Sequence, residues 1–316
     1  MYEQKLQDSG LEDVEVTHAG AVWANQPVVL AAAGLVLAVV LVFLFTRFLQ
    51  PEYLFPAPSN AKFGYIDKSG KVVISPRFDS AGEFEDGLAP VFVNGKWGYI
   101  DRHGKMAVAP QFDIADPFAE GRAMVGNEGK LGYIDKSGKL AIAPQFEGAG
   151  EFGQGLAPVA ANAGWGFIDR DGKWAINPQF DEAGTFSEGF AVVRLGNQYG
   201  YIEKSGKIEI NPQFAMAGDF HDGLAVVKIG DRFGYIDKDG KVEIQPQFDA
   251  AGDFSDGLAL AAIGARYGYI DKRAKFKINP QFDKAGNFHH GLAPVWLGDR
   301  QGYIGKDGKY VWNPTS

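Results

Sequence analysis

The chain contains no cysteine among its 316 residues. Disulfide bonds, thiolate metal sites and a cysteine nucleophile are therefore excluded. Basic residues are also outnumbered, because 31 Lys and Arg against 39 Asp and Glu give a formal net charge of −8 at pH 7. The charges are spread along the chain, so no basic stripe can neutralise a phosphate backbone. We therefore expect no nucleic-acid partner.

Long apolar runs are absent except at one place. Residues 28–45 are 18 consecutive apolar residues. At about 1.5 Å per residue this run spans roughly 27 Å, close to the hydrocarbon thickness of a bilayer. The pattern predicts one uncleaved transmembrane helix over residues 27–49.

The segments that flank this helix differ from each other in character. Residues 1–26 form an acidic tail with a single lysine, Lys5, which does not resemble the basic start of a signal peptide. Residues 50–58 form a proline-rich linker suited to a stiff spacer. Arg47 lies at the C-terminal end of the predicted helix and Lys62 follows it, whereas no basic residue lies close before the helix. This asymmetry favours cytoplasmic repeats by the positive-inside rule.

The chain contains 42 glycines and 13% aromatic residues, and many of them recur at fixed positions of an internal repeat. Residues 54–316 contain eight copies of a 34-residue unit without insertion. In each copy one particular glycine precedes an aromatic residue and an isoleucine, in most copies as Gly-Tyr-Ile-Asp, and these glycines are Gly64, Gly98, Gly132, Gly166, Gly200, Gly234, Gly268 and Gly302. Eight copies without an insertion indicate that every loop is structurally constrained.

Each repeat predicts three strands in an antiparallel meander. The first resembles Leu88–Val93, the second follows the repeated glycine, and the third resembles Lys241–Ile244, where apolar and polar residues alternate. We expect the first apolar residue of the third strand on the buried face, and the following proline to end the strand. A longer connection with two phenylalanines leads to the next copy. One such unit is too small to be stable alone, so it must stack on its neighbours.

The segments Lys96-Trp97-Gly98 and Trp165-Gly166 resemble the WG repeat family, also called KWG repeats. The resemblance covers residues 54–316, although the tryptophan is replaced elsewhere by Phe63, Leu131, Tyr199, Phe233, Tyr267 and Gln301. It implies a bacterial β-repeat protein, often exported or surface-associated, with no common catalytic activity. On that basis we expect a bacterial inner-membrane anchor with extracytoplasmic repeats in the cell envelope. The charge asymmetry around the helix favours the cytoplasmic side instead.

Two all-β architectures fit eight such units. One is an open β-solenoid or superhelical stack, and the other is an eight-bladed, propeller-like ring. A 34-residue unit is short for a four-stranded blade, and the family that the chain resembles varies in repeat number. We therefore favour the open stack, with the closed ring as the alternative.

No residue pattern predicts catalysis, a metal site or a cofactor. The five histidines show no converging spacing, and the adjacent His289 and His290 would point to opposite faces of a strand. We interpret all five as surface residues; they are His18, His103, His221, His289 and His290. An acidic column is interpreted as turn capping, because the other ligands of a calcium loop are absent. This column is Asp67, Asp101, Asp135, Asp169, Glu203, Asp237 and Asp271.

Recognition is expected where the copies differ. One position of the first strand varies without a shared property, and it reads Phe92, Gly126, Ala160, Arg194, Lys228, Ala262 and Trp296. Aromatic and basic residues of this kind anchor protein interfaces, whereas neutral drift would produce the same variation. We take Phe92, Arg194, Lys228 and Trp296 as candidate partner-binding residues.

Three functions are compatible with these features. The leading hypothesis is a non-enzymatic, membrane-tethered scaffold for a protein partner, such as an accessory subunit of a membrane complex. The alternative is a carbohydrate or cell-wall binding module, which requires exposed aromatic rings at Trp97, Tyr99 and their equivalents. The third is an enzyme on a propeller, which requires polar residues of several blades to meet at one end.

Overall fold

The computed structural model of the protein describes residues 53–161 and 164–313. The predicted acidic tail, transmembrane helix and first part of the linker lie outside the described residues. Within them, no helix has the length and apolar character needed to cross a membrane. The described part consists of β-strands joined by turns and loops.

The strands form eight antiparallel sheets, numbered here as blades 1 to 8 in chain order. In each blade the strands are hydrogen-bonded in the order in which they follow one another. Blade 1 contains β1 (Phe55–Ser59), β2 (Lys62–Ile66) and β3 (Val72–Phe78). Blade 2 contains β4 (Ser80–Ala81), β5 (Leu88–Val93), β6 (Lys96–Asp101) and β7 (Met106–Phe112). Blade 3 contains β8 (Ile114–Ala119), β9 (Arg122–Asn127), β10 (Lys130–Ile134) and β11 (Leu140–Phe146).

The remaining blades repeat this order. Blade 4 contains β12 (Gly148–Ala149), β13 (Leu156–Ala161), β14 (Gly164–Asp169) and β15 (Trp174–Phe180). Blade 5 contains β16 (Glu182–Ala183), β17 (Phe190–Leu195), β18 (Gln198–Glu203) and β19 (Ile208–Phe214). Blade 6 contains β20 (Met216–Ala217), β21 (Ala225–Ile229), β22 (Arg232–Ile236) and β23 (Val242–Phe248). Blade 7 contains β24 (Ala250–Ser255), β25 (Leu258–Ile263), β26 (Arg266–Ile270) and β27 (Phe276–Phe282), and blade 8 contains β28 (Lys284–Ala285), β29 (Leu292–Leu297), β30 (Arg300–Gly305) and β31 (Tyr310–Trp312).

Seven of the eight blades have four strands, so the predicted three-stranded unit was wrong. The extra strand comes from the start of the long connection: Ser80 pairs with Phe92, and Ala81 pairs with Val91. The backbone bond from Gly82 N to Pro90 O, 2.9 Å long, extends this pairing. The connection therefore supplies an inner strand, and one repeat of 34 residues is long enough for a propeller blade.

In blades 1 to 7 the last strand does not stop at its proline, which corrects a second prediction. In blade 1 the strand continues to Phe78, because a bulge around Pro76 restores the pairing of Phe63 with Phe78. The bulged backbone lies against the repeated glycine. A Cβ on Gly64 would lie 2.3 Å from the carbonyl oxygen of Ile74, so only glycine fits there.

The first apolar residue of each last strand is not buried, contrary to expectation. Trp174, for example, is 40% exposed, and its ring packs edge-on against Phe146 of the preceding blade at 6.2 Å. The last strand is the outer edge of the blade, and its core positions are its third and seventh residues, as the buried Ile176 and Phe180 show. These half-exposed residues follow the circumference of the ring and are Val72, Met106, Leu140, Trp174, Ile208, Val242, Phe276 and Tyr310.

The core lies between neighbouring blades, and in every blade except blade 4, which has Phe167 at this position, a buried tyrosine joins the blade to the next. Tyr99 has no exposed surface, contacts Phe118 of blade 3 at 5.0 Å, and donates a 2.8 Å hydrogen bond to the carbonyl oxygen of Asp116. The same bond, 17 residues forward, is made by Tyr65, Tyr133, Tyr201, Tyr235 and Tyr269. Every blade is thus stabilised by its neighbour.

The blades close into a ring, so the favoured open stack was wrong and the eight-bladed alternative is correct. Leu292 and Tyr303 of blade 8 share a buried cluster with Phe55, Ala57 and Ile66 of blade 1. Tyr303 also donates a 2.9 Å hydrogen bond to the carbonyl oxygen of Pro56, 247 residues away. Closure buries the apolar faces that a stack would leave exposed at its two ends.

We predict that Tyr99→Phe lowers the free energy of unfolding by about 1 kcal/mol, because it removes one hydrogen bond and leaves the Asp116 carbonyl without this donor. Blade 4 provides the matched control, since Phe167 occupies the same position naturally. Substituting Phe167→Leu there removes no hydrogen bond and tests packing alone. Urea unfolding of both variants measures the difference, and an unchanged midpoint for Tyr99→Phe would contradict the bond's contribution.

Candidate functional site

The candidate partner-binding residues occupy one register position in blades 2, 5, 6 and 8. Each lies opposite the aromatic column of the next strand, in the pairs Phe92–Trp97, Arg194–Tyr199, Lys228–Phe233 and Trp296–Gln301. All four are half-buried. In each four-stranded blade, the turn that joins the second strand to the third adjoins this position. We call this side of the ring the turn face. The ring therefore brings the four predicted residues to the same face.

Side chains on the turn face are held by neighbours in their own blade. The rings of Phe92 and Trp97 are 5.3 Å apart, and the ammonium of Lys228 lies 5.6 Å from the ring centre of Phe233. The guanidinium of Arg194 pairs with Glu182 at 2.8 Å. These contacts reduce the conformational entropy that the side chains would lose on binding a partner.

A cleft of about 270 Å³ opens on the turn face between blades 5 and 6. Its walls include Glu182, Tyr199 and Met216, and Met216 is 51% exposed. Glu182 accepts a 2.6 Å hydrogen bond from the Tyr199 hydroxyl. This bond and the pair with Arg194 hold the pKa of Glu182 below its usual range. The cleft thus combines a carboxylate whose charged form is favoured with exposed apolar and aromatic surface.

A second cavity, of about 340 Å³, lies at the inner edge of the ring. Residues from blades 2, 6, 7 and 8 line it, among them Glu83, His221, Asp253 and His289. Three of the lining residues, Glu83, Asp253 and Asn287, occupy one repeat position, which reads Glu83, Pro117, Glu151, Thr185, Asp219, Asp253 and Asn287. Polar residues from several blades thus meet at this cavity. The spacing of these residues in the sequence did not predict that they would meet.

Burial raises the pKa of five carboxyl groups at this inner edge. The groups are Glu83, Asp116, Glu151, Asp219 and Asp253, with desolvation as the largest cause in each. For Asp219 the pKa rises to about 7, with repulsion from Asp253 as the second cause. One carboxyl oxygen of each of these two aspartates is enclosed without a hydrogen-bond partner among the described residues. The charged form of this pair is therefore disfavoured.

We predict that Asp219→Asn makes the protein more stable than the natural chain at pH 8, by about 1–2 kcal/mol. The folded-state pKa lies above the unfolded value, so the stability contributed by protonated Asp219 is present at low pH and is lost as pH rises from about 4 through 7. Asn287 shows that asparagine fits this position. Thermal unfolding at pH 5 and pH 8 measures the effect. Asp299→Asn, on an exposed turn, is the control, and equal behaviour of both variants at pH 8 would contradict the assignment.

The histidines lie in different environments. His18 falls outside the described residues, His103 is exposed in a hairpin turn, and the exposed His221 lines the inner cavity. His289 and His290 are half-buried, with ring centres 4.0 Å apart, so they do not point to opposite faces. The reason is a turn: His290 has a φ of 50°, which interrupts the alternation of a strand.

Two further predictions concern the acidic and tyrosine columns. Turn capping is confirmed for the six aspartates of the acidic column; the Asp67 carboxylate, for example, accepts bonds of 2.9 Å from Ser69 N and 3.1 Å from Lys71 N. Glu203 differs, since its carboxylate accepts a bond from the Ser205 hydroxyl instead. Tyr99 and its equivalents are fully buried, so this column cannot stack on a sugar. Trp97 is half-buried and leaves only part of its ring accessible.

The comparisons with known proteins agree with this architecture. The family model described as WG containing repeat matches residues 63–97, 97–130, 132–162, 165–199, 199–232, 233–265 and 267–299. No curated protein matches the sequence. The chain is similar to a dihydro-heme d1 dehydrogenase, NirN, in complex with DHE (TM-score 0.56, 14% identity, 83% of this chain and 74% of that chain). It is also similar to a eukaryotic initiation factor (TM-score 0.52, 11% identity, 82% of this chain and 94% of that chain). At these identities the likeness shows the fold alone.

Proposed function

We propose that this chain, which belongs to the family of proteins with WG-containing repeats, is a non-enzymatic binding protein tethered to a membrane. In this proposal residues 27–49 form the anchor, and the turn face binds a protein partner, such as another subunit of a membrane complex. The observation that carries the proposal is the cleft between blades 5 and 6, where exposed Met216 lies beside Tyr199 and Glu182.

The composition of the turn face supports a protein partner. Tyr, Trp, Phe, Met and Arg are enriched at protein interfaces and are the residues that contribute most to affinity. All five types occur here, and Ile114 of blade 3, at the position equivalent to Met216, is 46% exposed. A rigid ring that offers apolar surface between fixed charges favours binding with little ordering cost.

A photo-crosslinking amino acid at position 216, introduced into the full chain in intact cells, tests the turn face directly. We expect one defined adduct with a protein partner. The same amino acid at Glu243, which is exposed on the outer strand of blade 6, is the matched control and is expected to give no such adduct. Equal labelling from the two positions, or none from position 216, would contradict binding at the turn face.

We predict that Arg194→Ala weakens partner binding by about 30-fold, the effect of losing about 2 kcal/mol at an interface anchor. The substitution removes the cation and leaves the Glu182 carboxylate without this ion pair. Lys207→Ala is the control, because it breaks a surface ion pair, with Glu209, away from the turn face. Titration of the crosslinked partner against the solubilised chain gives both affinities, and a similar loss in the two variants would argue against a specific contact.

The side of the membrane is a separate part of the proposal, for which we take the extracytoplasmic side. A tag at the C-terminus and protease treatment of intact spheroplasts test it. Digestion of the tag before lysis is the expected result. Protection until lysis would instead favour the cytoplasm, as Arg47 and Lys62 indicate.

A further inference from the structure

Two histidines and a glutamate converge where the ring closes. Potential ligand atoms of Glu85, His289 and His290 all lie within 4.8 Å of one another. Glu85 belongs to the inner loop of blade 2 and the histidines to the inner loop of blade 8, with blade 1 between them along the ring. The carboxylate of Glu83 lies 3.9 Å from Nε2 of His289 and adds a second negative charge.

The Nε2 atom of His289 is enclosed, yet nothing in the described residues forms a hydrogen bond with it. Glu85 Oε1 is only 2.8 Å away; the contact lacks hydrogen-bond geometry, but it forms an ion pair when the imidazole is protonated. An enclosed imidazole nitrogen without a hydrogen-bond partner is costly to leave unsatisfied. A bound cation between the imidazole and the carboxylate would satisfy both groups.

The junction between blades 8 and 1 also differs from the junctions between blades 2 and 8, at which one hydrogen bond recurs. Between blades 2 and 8, the side chain of an inner-loop residue accepts a hydrogen bond from a glycine N–H of the next blade. These acceptors are Asp86, Glu120, Gln154, Glu188, Asp222 and Asp256. At the closing junction His290 takes the place of the acceptor and stacks on the ring of Tyr53 at 3.6 Å. His290 is thus specific to the junction that joins the two ends of the repeat array, whereas the position of His289 is also a histidine, His221, in blade 6.

We propose that Glu85, His289 and His290 bind one first-row divalent transition-metal ion, such as Zn²⁺, which joins blade 8 to blade 2 and reinforces ring closure. Two neutral imidazoles and one carboxylate are a common ligand set for Zn²⁺, with Zn–N and Zn–O bonds of about 2.0–2.2 Å. Such bonds bring ligand atoms to roughly 3.3 Å from each other. Binding would require the three side chains to close the present spacing of up to 4.8 Å. A fourth position remains for water.

Nitrogen ligands distinguish this ion from calcium and magnesium. Ca²⁺ and Mg²⁺ prefer shells of oxygen atoms, whereas imidazole favours Zn²⁺, Co²⁺, Ni²⁺ and Cu²⁺. The site lies on the inner loops and not on the turn face, so it is independent of the proposed partner and can fail or succeed separately from it.

The test uses the full chain in mild detergent, freed of metal by a chelator and purified with a tag that contains no histidine. We expect Co²⁺ to bind at one equivalent per chain with visible d–d absorption, and Zn²⁺ to displace it and raise the melting temperature in proportion to the logarithm of its free concentration. His290→Ala and Glu85→Gln are expected to lose at least tenfold in affinity. His221→Ala and His103→Ala, at histidines outside the cluster, are the matched controls and should bind as the natural chain does.

Two results would overturn the site: no saturable Co²⁺ binding by the natural chain, or binding that survives both His290→Ala and Glu85→Gln. The melting temperature of each metal-free variant separates loss of a ligand from loss of the fold. If His290→Ala is unfolded, His289→Gln provides a second variant at the same site, and undiminished binding by it would also count against the proposal. Equal stabilisation by Ca²⁺ would contradict the assignment of nitrogen ligands.

Discussion

Gly132→Ala is expected to destabilise the ring by about 3 kcal/mol, at the upper end of the cost of overpacking. The added Cβ would lie 2.5 Å from Ile142 O, 2.7 Å from Pro144 N and 2.8 Å from Ala143 C. All three are backbone atoms of the bulge in the outer strand, so no side chain can rotate away. Relief requires the bulge to open, which would disturb the pairing of Leu131 with Phe146.

Gly305→Ala is the matched control for this substitution. Gly305 also lies in the third strand of a blade, but its added Cβ would meet only Asp307 Oδ1, at 3.2 Å. That atom is the end of a flexible side chain, so we expect a change below about 1 kcal/mol. Thermal unfolding followed by near-ultraviolet circular dichroism measures both variants, and similar melting temperatures would contradict the steric role of the repeated glycine.

Removal of blade 8, by ending the chain at Phe282, is expected to abolish cooperative folding. The truncation would expose the faces of blade 7 and blade 1 that blade 8 covers, including Tyr269, Phe55 and Ile66. Each large apolar side chain contributes about 1.5–3 kcal/mol on burial, so losing five or six of them removes about 10 kcal/mol. That amount is comparable to the whole stability of a typical domain.

The truncated chain distinguishes a ring from a stack. An open stack loses only the contribution of its terminal repeat and keeps a cooperative transition for the others. A ring is expected to give a broad transition and to bind a dye that reports exposed apolar surface. Removal of Pro314 to Ser316 alone is the control and should leave the melting temperature unchanged. A sharp transition in the chain that ends at Phe282 would contradict the ring.

Much of the blade could be predicted from the sequence because its signals are local. The turn between Asp67 and Lys71 is specified by an aspartate that caps it and a glycine with positive φ, Gly70. The longer strands have either alternating apolar and polar residues or a repeated Gly-aromatic-Ile segment. Repetition over eight copies then separates the residues that the fold requires from those that are free to vary.

The inner strand was missed because it is too short to show a period. In five of the eight blades it has two residues, such as Ser80–Ala81, and no alternation can be seen in two positions. Its pairing depends on the fixed position of the next strand, which is a tertiary effect. Without that strand, the repeat looked too short for a blade, and the open stack was favoured.

Closure and the histidine cluster depend on contacts that local patterns do not encode. The bond from Tyr303 to Pro56 joins opposite ends of the array, and the repeated unit is the same in an open or a closed assembly. The convergence of His289 with Glu85 requires both the closed ring and the turn at His290. The location of the four variable residues on one face, in contrast, follows from the repeat itself.

The most direct test of the closed ring is a crosslink between its first and last blades. Lys68 lies 4.2 Å from the ring centre of Tyr53, which stacks on His290, so blades 1 and 8 meet at this point. The chain has no cysteine, and Lys68→Cys with His290→Cys therefore introduces the only two thiols. Lys68→Cys with Gln154→Cys is the control, because Gln154 occupies the position of His290 in blade 4. A short bifunctional thiol reagent is expected to join residues 68 and 290 within one chain and to leave 68 and 154 unlinked. Absence of the intramolecular 68–290 crosslink in the folded protein would contradict closure.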